Sequence, residues 1–281
     1  MTLIILAAVV LVAYTLYDSA STDSVPPTIK IPDEPLTLSV NDGEDVLLTG
    51  VTAEDDKDGD VTASLIVESV YGISENGSVT VRYAAFDSAG NVASAERTVV
   101  YSDYHSPVIS LNSPLVFEYG SGFDVFDCVS AYDAFDGDVT RKIKATMLSE
   151  GTNVSMEGTH EVQFRVTNSV GDSVQLVLPV EVYPDDTYNA SIELSDWIVY
   201  LPVGAEFDPY SYLEAFKTVY EEIPLTEGTP DSVELILNDT VNTEASGVYT
   251  VSYTAVKKND DKTYIGYTKL IVVVEGGNGN G

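Results

Sequence analysis

The stretch Gly77-Ser-Val-Thr-Val-Arg-Tyr83 decides the fold, because its apolar and polar residues alternate. A period of two residues is typical of a strand with one face in a core and the other in solvent. β-Branched and aromatic side chains also suit the pleated surface of a sheet. The same alternation occurs at 161–166 and 249–254, so we expect an all-β fold.

The stretch belongs to a repeated pattern, Gly-x-x-x-Val-x-Tyr/Phe, which begins at Gly77, Gly158 and Gly247. The intervals between the three copies are 81 and 89 residues. Asp58-Gly-Asp-Val-Thr62 also recurs, as Asp136-Gly-Asp-Val-Thr140. A β unit of this length has the size of an immunoglobulin-like sandwich. We therefore predict three tandem immunoglobulin-like β-sandwiches preceded by an N-terminal hydrophobic helix.

The N-terminal 17 residues carry no charged side chain and are rich in Leu, Ile, Val and Ala. We interpret them as a transmembrane or signal-anchor segment, with a cleaved signal peptide and secretion as the alternative. The predicted division is a membrane segment at 1–17, a linker at 18–26, repeat 1 at 27–103, repeat 2 at 104–185, a divergent repeat 3 at 186–275 and a Gly/Asn tail at 276–281.

Repeats 1 and 2 resemble the bacterial Ig-like domains of cell-surface proteins, a group that includes HYR-like modules and the Ig-like domain of pesticidal crystal proteins. The motifs that carry the resemblance are Pro27-Thr-Ile29, Asp58-Gly-Asp-Val-Thr62, the 77–83 stretch and Asp87-Ser-Ala-Gly-Asn91. In repeat 3 only the late strand pattern survives. The resemblance implies an extracellular spacer, adhesion or carbohydrate-associated module, strung in tandem on a bacterial surface.

The charge balance narrows the range of partners. The chain has 45 Asp and Glu against 13 Lys and Arg, a formal net charge of −32. A surface this negative repels phosphate backbones, so we expect no nucleic-acid partner. The sequence also lacks the motifs of metalloproteases, serine hydrolases and phosphate-binding loops. The single cysteine, Cys128, lies in a strand-like run and is predicted to be a buried structural thiol.

These observations predict a non-catalytic surface protein that acts as an adhesion module or as a stalk and spacer. Its partner would be an unknown protein or glycan on another surface, and the N-terminal segment would hold it to a membrane. One alternative is a carbohydrate-binding accessory module, which would stack sugars on aromatic residues of repeat 3 that we otherwise assign to the core: Trp197, Tyr200, Tyr210 and Tyr212. Another alternative is a pilin-like subunit, because residues 1–6 are faintly similar to the start of mature type IV pilins.

Acidic loops suggest calcium, because alternate carboxylates around a glycine turn can supply its oxygen ligands. The alternative is a solvated turn in which Asp and Gly satisfy backbone geometry. Repeat 3 has Phe216-Lys-Thr218 in place of Asp-Gly-Asp, so its joint with repeat 2 is expected to be flexible and metal-free. The predicted ligands at the joint of repeats 1 and 2 are Asp133, Asp136, Asp138 and Asp103, and those of a weaker site are Asp55, Asp56, Asp58, Asp60 and Asp87.

Overall fold

The computed structural model of the chain describes residues 11–13, 23–74, 76–148, 156–184, 186–226, 228–259 and 261–276. They form two compact units. The first unit runs to Ser106 and also contains Ser169–Asp172. The second contains Pro107–Asn168 and continues from Ser173. Repeat 1 therefore lies in the first unit, and most of repeat 2 shares the second unit with repeat 3.

The predicted membrane segment at 1–17 lies almost entirely outside the described residues. Within it, residues 11–13 are helical, and the side chains of Leu11 and Val12 are exposed. In the part of the chain that the structure describes, no helix has both the length and the apolar character needed to cross a membrane. The N-terminal anchor stays a prediction from the sequence.

Repeat 1 is a sandwich of a three-stranded and a four-stranded sheet. Its strands are β1 (Thr28–Lys30), β2 (Leu36–Leu38), β3 (Thr52–Asp55), β4 (Gly59–Asp60), β5 (Ile66–Tyr71), β6 (Ser78–Phe86) and β7 (Val92–Tyr101). The sheet orders are β1-β3-β4 and β2-β7-β6-β5, and only β2 and β7 pair in parallel. Val79, Val81 and Tyr83 of β6 are fully buried, so the motif that predicts the strand also fills the core.

Repeat 2 has the same two sheets. Its strands are β8 (Val108–Leu111), β9 (Val116–Glu118), β10 (Val129–Asp133), β11 (Gly137–Asp138), β12 (Lys144–Met147), β13 (Gly158–Thr167) and β14 (Ser173–Tyr183). The sheet orders are β11-β10-β8 and β12-β13-β14-β9, again with one parallel pair, β9 with β14. Val162 and Phe164, at the motif positions of β13, are buried.

Repeat 3 keeps this architecture although its sequence diverges. Its strands are β15 (Ser191–Leu194), β16 (Ile198–Pro202), β17 (Leu213–Lys217), β18 (Glu222–Pro224), β19 (Glu234–Asp239), β20 (Gly247–Lys258) and β21 (Thr263–Glu275). The sheet orders are β15-β17-β18 and β16-β21-β20-β19, with β16 parallel to β21. The described chain is therefore all-β and repeats one sandwich design three times.

The aromatic residue that ends each motif secures a short 3₁₀ helix in repeats 1 and 3. The hydroxyl of Tyr83 donates to the carbonyl of Leu47, and that of Tyr253 donates to the carbonyl of Pro209, both at 2.8 Å. In repeat 2 the equivalent residue is Phe164, which is buried without a hydroxyl. The 3₁₀ helices of the described chain are Glu44–Leu48, Thr62–Ser64, Val125–Cys128, Thr140–Lys142 and Pro209–Tyr212.

The glycine that opens the motif in repeat 1 is required by close packing. Gly77 has a φ of +77°, and a Cβ atom there would lie 2.2 Å from the carbonyl oxygen of Tyr101. The amide of Tyr101 in turn donates to the carbonyl of Gly77 at 2.9 Å. Only a residue without a side chain allows the start of β6 to approach the end of β7 this closely.

Strand β21 buries both of its faces. Leu270, Val272 and Val274 belong to the core of repeat 3, whereas Ile271 and Val273 belong to the core cluster of repeat 2. A run of consecutive apolar residues is typical of a strand with no solvent-facing side. The expectation of a flexible joint between repeats 2 and 3 is therefore wrong, because the two repeats share a continuous apolar contact inside one compact unit.

Polar contacts reinforce the junction of repeats 2 and 3. The hydroxyl of Tyr200 donates to the carbonyl of Ile109 at 2.6 Å. The carboxylate of Glu181 pairs with Lys269 and accepts a hydrogen bond from Tyr267 at 3.0 Å. Trp197 is half-buried and packs against the cores of both repeats. The junction combines an apolar centre with satisfied polar groups, as a domain interior does.

Candidate functional site

The acidic loops of repeats 1 and 2 are built in the same way. Asp55 ends β3 and accepts the amides of Lys57 and Asp58, each at 2.9 Å, on Oδ1. Asp133 ends β10 and accepts two amides at the same distance, those of Phe135 and Asp136. This local bonding is an Asx turn, in which a carboxylate satisfies backbone donors that a loop would otherwise leave open.

Five further loop carboxylates also have structural partners. Asp58 accepts the amide and hydroxyl of Ser88 at 2.6 and 2.9 Å. Asp60 accepts the amide of Thr62, and its counterpart Asp138 accepts the amide of Thr140, both at 2.9 Å. The other two contacts of this kind are the ion pair of Asp136 with Lys142 and the bonds from Asn91 to Asp87.

Hydrogen bonding keeps several of these groups ionised. The amides of Asp58 and Lys57 lower the pKa of Asp55, although burial opposes them. The hydroxyl and amide of Thr62 lower the pKa of Asp60 in the same sense. Donors stabilise the charged form of a carboxyl group, so the loop is anionic at neutral pH. An anionic, oxygen-only loop has the chemistry of a hard-cation site.

The predicted joint site draws on residues of both units. Asp103 accepts the hydroxyl of Ser39 at 2.6 Å and the amide of Val40 at 2.8 Å, and these bonds lower its pKa. Ser169–Asp172 lies in the first unit, where the hydroxyl of Tyr104 donates to Asp172 at 2.6 Å. Asp133, Asp136 and Asp138 lie in the second unit. The calcium site at this joint stays a prediction.

One acidic group was not anticipated from the sequence. Within the described residues, carboxylate oxygens of Asp23, Asp55 and Asp56 lie within 4.8 Å of one another. Asp55 and Asp56 come from the predicted loop, but Asp23 comes from the predicted linker at 18–26. In the sequence, Asp23 is only an acidic residue of the linker. Because it is far from Asp55 and Asp56 along the chain, the sequence does not indicate that the three are close in space.

The aromatic residues of repeat 3 divide between core and surface. Trp197 and Tyr200 are half-buried against the apolar cores, which confirms their assignment to the core. Burial raises the pKa of the Tyr200 hydroxyl above its ordinary range. Tyr210 is 58% exposed, so its assignment to the core is wrong: it lies on the outer side of the 3₁₀ helix Pro209–Tyr212.

Tyr212, the fourth of these aromatics, lines a groove in repeat 3 together with Phe207. The rings of Phe207 and Tyr212 lie 5.8 Å apart, at an angle of 30°. The groove is open to solvent and has a volume of about 730 Å³. Its lining residues are Ala205, Glu206, Phe207, Asp208, Ser211, Tyr212, Asp239, Val241 and Thr243. Apolar rings beside carboxylates can contact both faces and hydroxyls of a sugar.

The sole cysteine has the environment of a structural thiol. Cys128 is 5% exposed and ends a 3₁₀ helix in the core of repeat 2. Burial raises the pKa of its thiol, which disfavours the reactive thiolate. The predicted burial of Cys128 is confirmed.

Comparison with known proteins confirms the resemblance found in the sequence. Residues 33–100 match the family described as bacterial surface protein, Ig-like domain. The chain is also 29% identical over 152 residues to the pesticidal crystal protein Cry22Aa of Bacillus thuringiensis. That match covers 51% of this chain and 20% of Cry22Aa. Repeat 1 is thus similar to Ig-like domains of bacterial surface proteins.

The chain also matches solved structures of multidomain proteins at low identity. Drosophila N-cadherin EC1-3 is 10% identical, with 88% of this chain and 99% of that chain covered and a TM-score of 0.30. The CBM51-2 and INT domains of Clostridium perfringens ZmpB are 16% identical, with 90% of this chain and 45% of that chain covered and a TM-score of 0.22. Because both TM-scores are low, neither structure indicates a ligand or an activity for this chain.

Proposed function

We propose that the chain is a non-catalytic module of a bacterial cell surface, which acts in adhesion or as a spacer. The observation that carries this proposal is the match of residues 33–100 to bacterial surface Ig-like domains. The threefold repetition of one sandwich supports it, because the surface modules that repeats 1 and 2 resemble are strung in tandem. The predicted segment at 1–17 would attach the chain to a membrane, with its acidic bulk outside the cell.

Partner binding tests the adhesive function directly. The full chain, labelled with a fluorophore, is applied to arrays of glycans and of purified cell-surface proteins. An adhesion module should bind a small set of partners in a saturable way. A pure spacer should bind none, and hydrolase activity that disappears with a single Asp or Glu change would contradict both forms of the proposal.

A carbohydrate-binding role is the second candidate, and the Phe207–Tyr212 groove favours it. Its test compares retention of the full chain on insoluble polysaccharides. Phe207→Ala should reduce retention because it removes a stacking ring. Tyr220→Ala is a matched control, since Tyr220 is an exposed aromatic outside the groove. Equal retention of both variants would exclude the groove as the sugar site.

A further inference from the structure

The buried carboxylates of the two acidic loops differ in one contact. In repeat 2, Asp133 is fully buried, and its Oδ2 atom accepts the side-chain amide of Asn168 at 2.9 Å. In repeat 1, the counterpart Asp55 is 8% exposed, and its Oδ2 atom is buried with no hydrogen-bond partner among the described residues. A buried acceptor without a donor is destabilising unless another group satisfies it.

The reason lies in one exchange between the repeats. The stretch Asp87-Ser-Ala-Gly90 of repeat 1 corresponds to Asn168-Ser-Val-Gly171 of repeat 2. Repeat 1 therefore has a carboxylate where repeat 2 has an amide, and an ionised carboxylate cannot donate. Asp87 instead accepts the backbone and side-chain amides of Asn91 at 2.7 and 2.6 Å. The exchange removes a donor and adds negative charge.

The carboxylate of Asp55 lies among other oxygens of the same sign. Oxygen atoms of Asp23 and Asp56 lie within 4.8 Å of it and of each other. The side chain of Asp23 is only 9% exposed, and its Oδ1 atom lies 3.7 Å from Nζ of Lys57. One lysine against three carboxylates leaves two negative charges uncompensated at close range. Repulsion at such distances is costly, more so where water is excluded.

We propose that repeat 1 binds one calcium ion through Asp23, Asp55 and Asp56. The ion would contact the Oδ2 atom of Asp55 that has no donor and would neutralise the remaining charge of the group. Waters would complete the six to eight oxygen ligands that calcium takes. Since Asp23 precedes β1, whereas Asp55 ends β3 and Asp56 follows it, the ion would connect the linker to the acidic loop of the first sandwich.

The chemistry of the group favours calcium over other divalent ions. All three ligands are carboxylates, and hard oxygen ligands suit calcium and magnesium rather than zinc or copper. Magnesium needs near-ideal octahedral geometry and releases its waters reluctantly. Asp56 is exposed and its backbone is part of a turn, so this edge of the site can adjust to a larger ion. Extracellular calcium modules bind with a Kd on the order of 10⁻⁴ to 10⁻³ M.

The test measures calcium binding to the full chain. Thermal unfolding is followed by circular dichroism in CaCl₂, in MgCl₂ and in EDTA, and the calcium affinity is obtained from the dependence of Tm on concentration. We expect calcium to raise the Tm of the transition of repeat 1 more than magnesium does. Asp23→Asn and Asp56→Asn should each weaken calcium affinity at least about tenfold. Both residues lie outside the cores, so these variants should fold.

Asp33→Asn is the matched control, because Asp33 is an exposed carboxylate of the same repeat outside the group. It makes the same change of charge and should leave calcium affinity unchanged. The proposal is overturned if calcium does not move the transition of repeat 1, or if Asp33→Asn weakens binding as much as Asp23→Asn does. Loss of binding in the Asp133→Asn variant alone would place the ion in repeat 2 and would also overturn it.

Discussion

The side-chain amide of Asn168 donates to the buried carboxylate of Asp133 at 2.9 Å, and this bond completes the acidic loop of repeat 2. Two backbone amides occupy the other oxygen of Asp133. Both oxygens of the buried carboxylate therefore have a donor, as interiors require. Among the described residues, the same loop in repeat 1 has no equivalent donor, so a near-identical motif gives one carboxylate with both oxygens paired and one with a buried, unpaired oxygen.

Removing the amide should destabilise repeat 2. Asn168→Ala leaves Oδ2 of Asp133 buried without a donor, and the expected loss in free energy of unfolding is about 1–3 kcal/mol. The measurement is urea unfolding of the full chain. Asn112→Ala is the control, because Asn112 is exposed and contacts only Ser130 by its side chain among the described residues. Equal losses in the two variants would show that the amide of Asn168 has no special role.

A reciprocal exchange should give repeat 1 the loop of repeat 2. The double variant Asp87→Asn with Asn91→Asp keeps the net charge and places an amide at the position of Asn168 and a carboxylate at that of Asp172. We expect a higher Tm for repeat 1 in EDTA, since the new amide can donate to Asp55, and a smaller rise on adding calcium. An unchanged response to calcium would show that Asp87 does not determine the open acceptor.

The sandwich design was predictable because its signals are local. The alternation at 77–83 fixes a strand with one buried face, and its repetition near 158 and 247 fixes three units. The pairing of Asp23 with the acidic loop was not predictable, since it depends on where the linker lies in space. The sequence shows that Asn168 of repeat 2 is replaced by Asp87 in repeat 1. That Asn168 is the donor to Asp133 became clear only from the hydrogen bond in the structure.

The junction of repeats 2 and 3 could have been predicted from the sequence. The run Leu270-Ile-Val-Val-Val274 contains no polar residue, and a strand with one face in solvent would show alternation. Because consecutive side chains point to opposite faces, the run requires a second apolar surface, and the structure supplies it with the core of repeat 2.

The first glycine of the motif should tolerate no side chain. Gly77→Ala puts a Cβ atom 2.2 Å from the carbonyl oxygen of Tyr101. It also forces a residue with a side chain into the left-handed region of φ. We therefore expect the free energy of unfolding to fall by at least about 2 kcal/mol. Gly90→Ala is the control, because Gly90 has a φ of +89° with no atom within 4 Å of the added Cβ. It should lose only about 1 kcal/mol. Urea unfolding distinguishes the two, and equal losses would contradict the role of Tyr101.

Buried tyrosines should make the second unit sensitive to alkali. Burial raises the pKa of Tyr200, Tyr253 and Tyr267, so the folded state holds these protons more tightly than the unfolded chain does. The resulting stability is complete below the unfolded pKa near 10 and is lost as the pH rises above it. Urea midpoints measured from about pH 8 to 11 should therefore fall steeply at the upper end.

Tyr200→Phe should flatten this pH dependence, because it removes one of the titrating groups. At neutral pH it should cost about 1 kcal/mol, for the lost bond to Ile109. Tyr210→Phe is the control, since Tyr210 is exposed. Its urea midpoint should fall with pH as steeply as that of the unchanged chain. If the urea midpoint of the Tyr200 variant falls equally steeply, burial of Tyr200 does not govern alkaline unfolding.

Repeats 2 and 3 should unfold together, since β21 contributes to the cores of both. Ile271 is 2% exposed and packs in the core cluster of repeat 2. Ile271→Ala should lower the free energy of unfolding of the second unit by about 2–4 kcal/mol, from lost burial and the cavity that remains. In scanning calorimetry of the full chain, the variant should show one transition for the second unit, shifted to lower temperature.

Ile236→Ala provides the comparison, because Ile236 is 52% exposed on β19 and its truncation should cost no more than about 0.5 kcal/mol. If Ile271→Ala split the transition of the second unit in two, the shared apolar contact would be secondary to the separate cores. If the two variants behaved alike, Ile271 would not lie in a packed junction. A single, strongly shifted transition requires that the LIVVV run joins the two sandwiches into one cooperative unit, because only burial on both faces of β21 couples their cores.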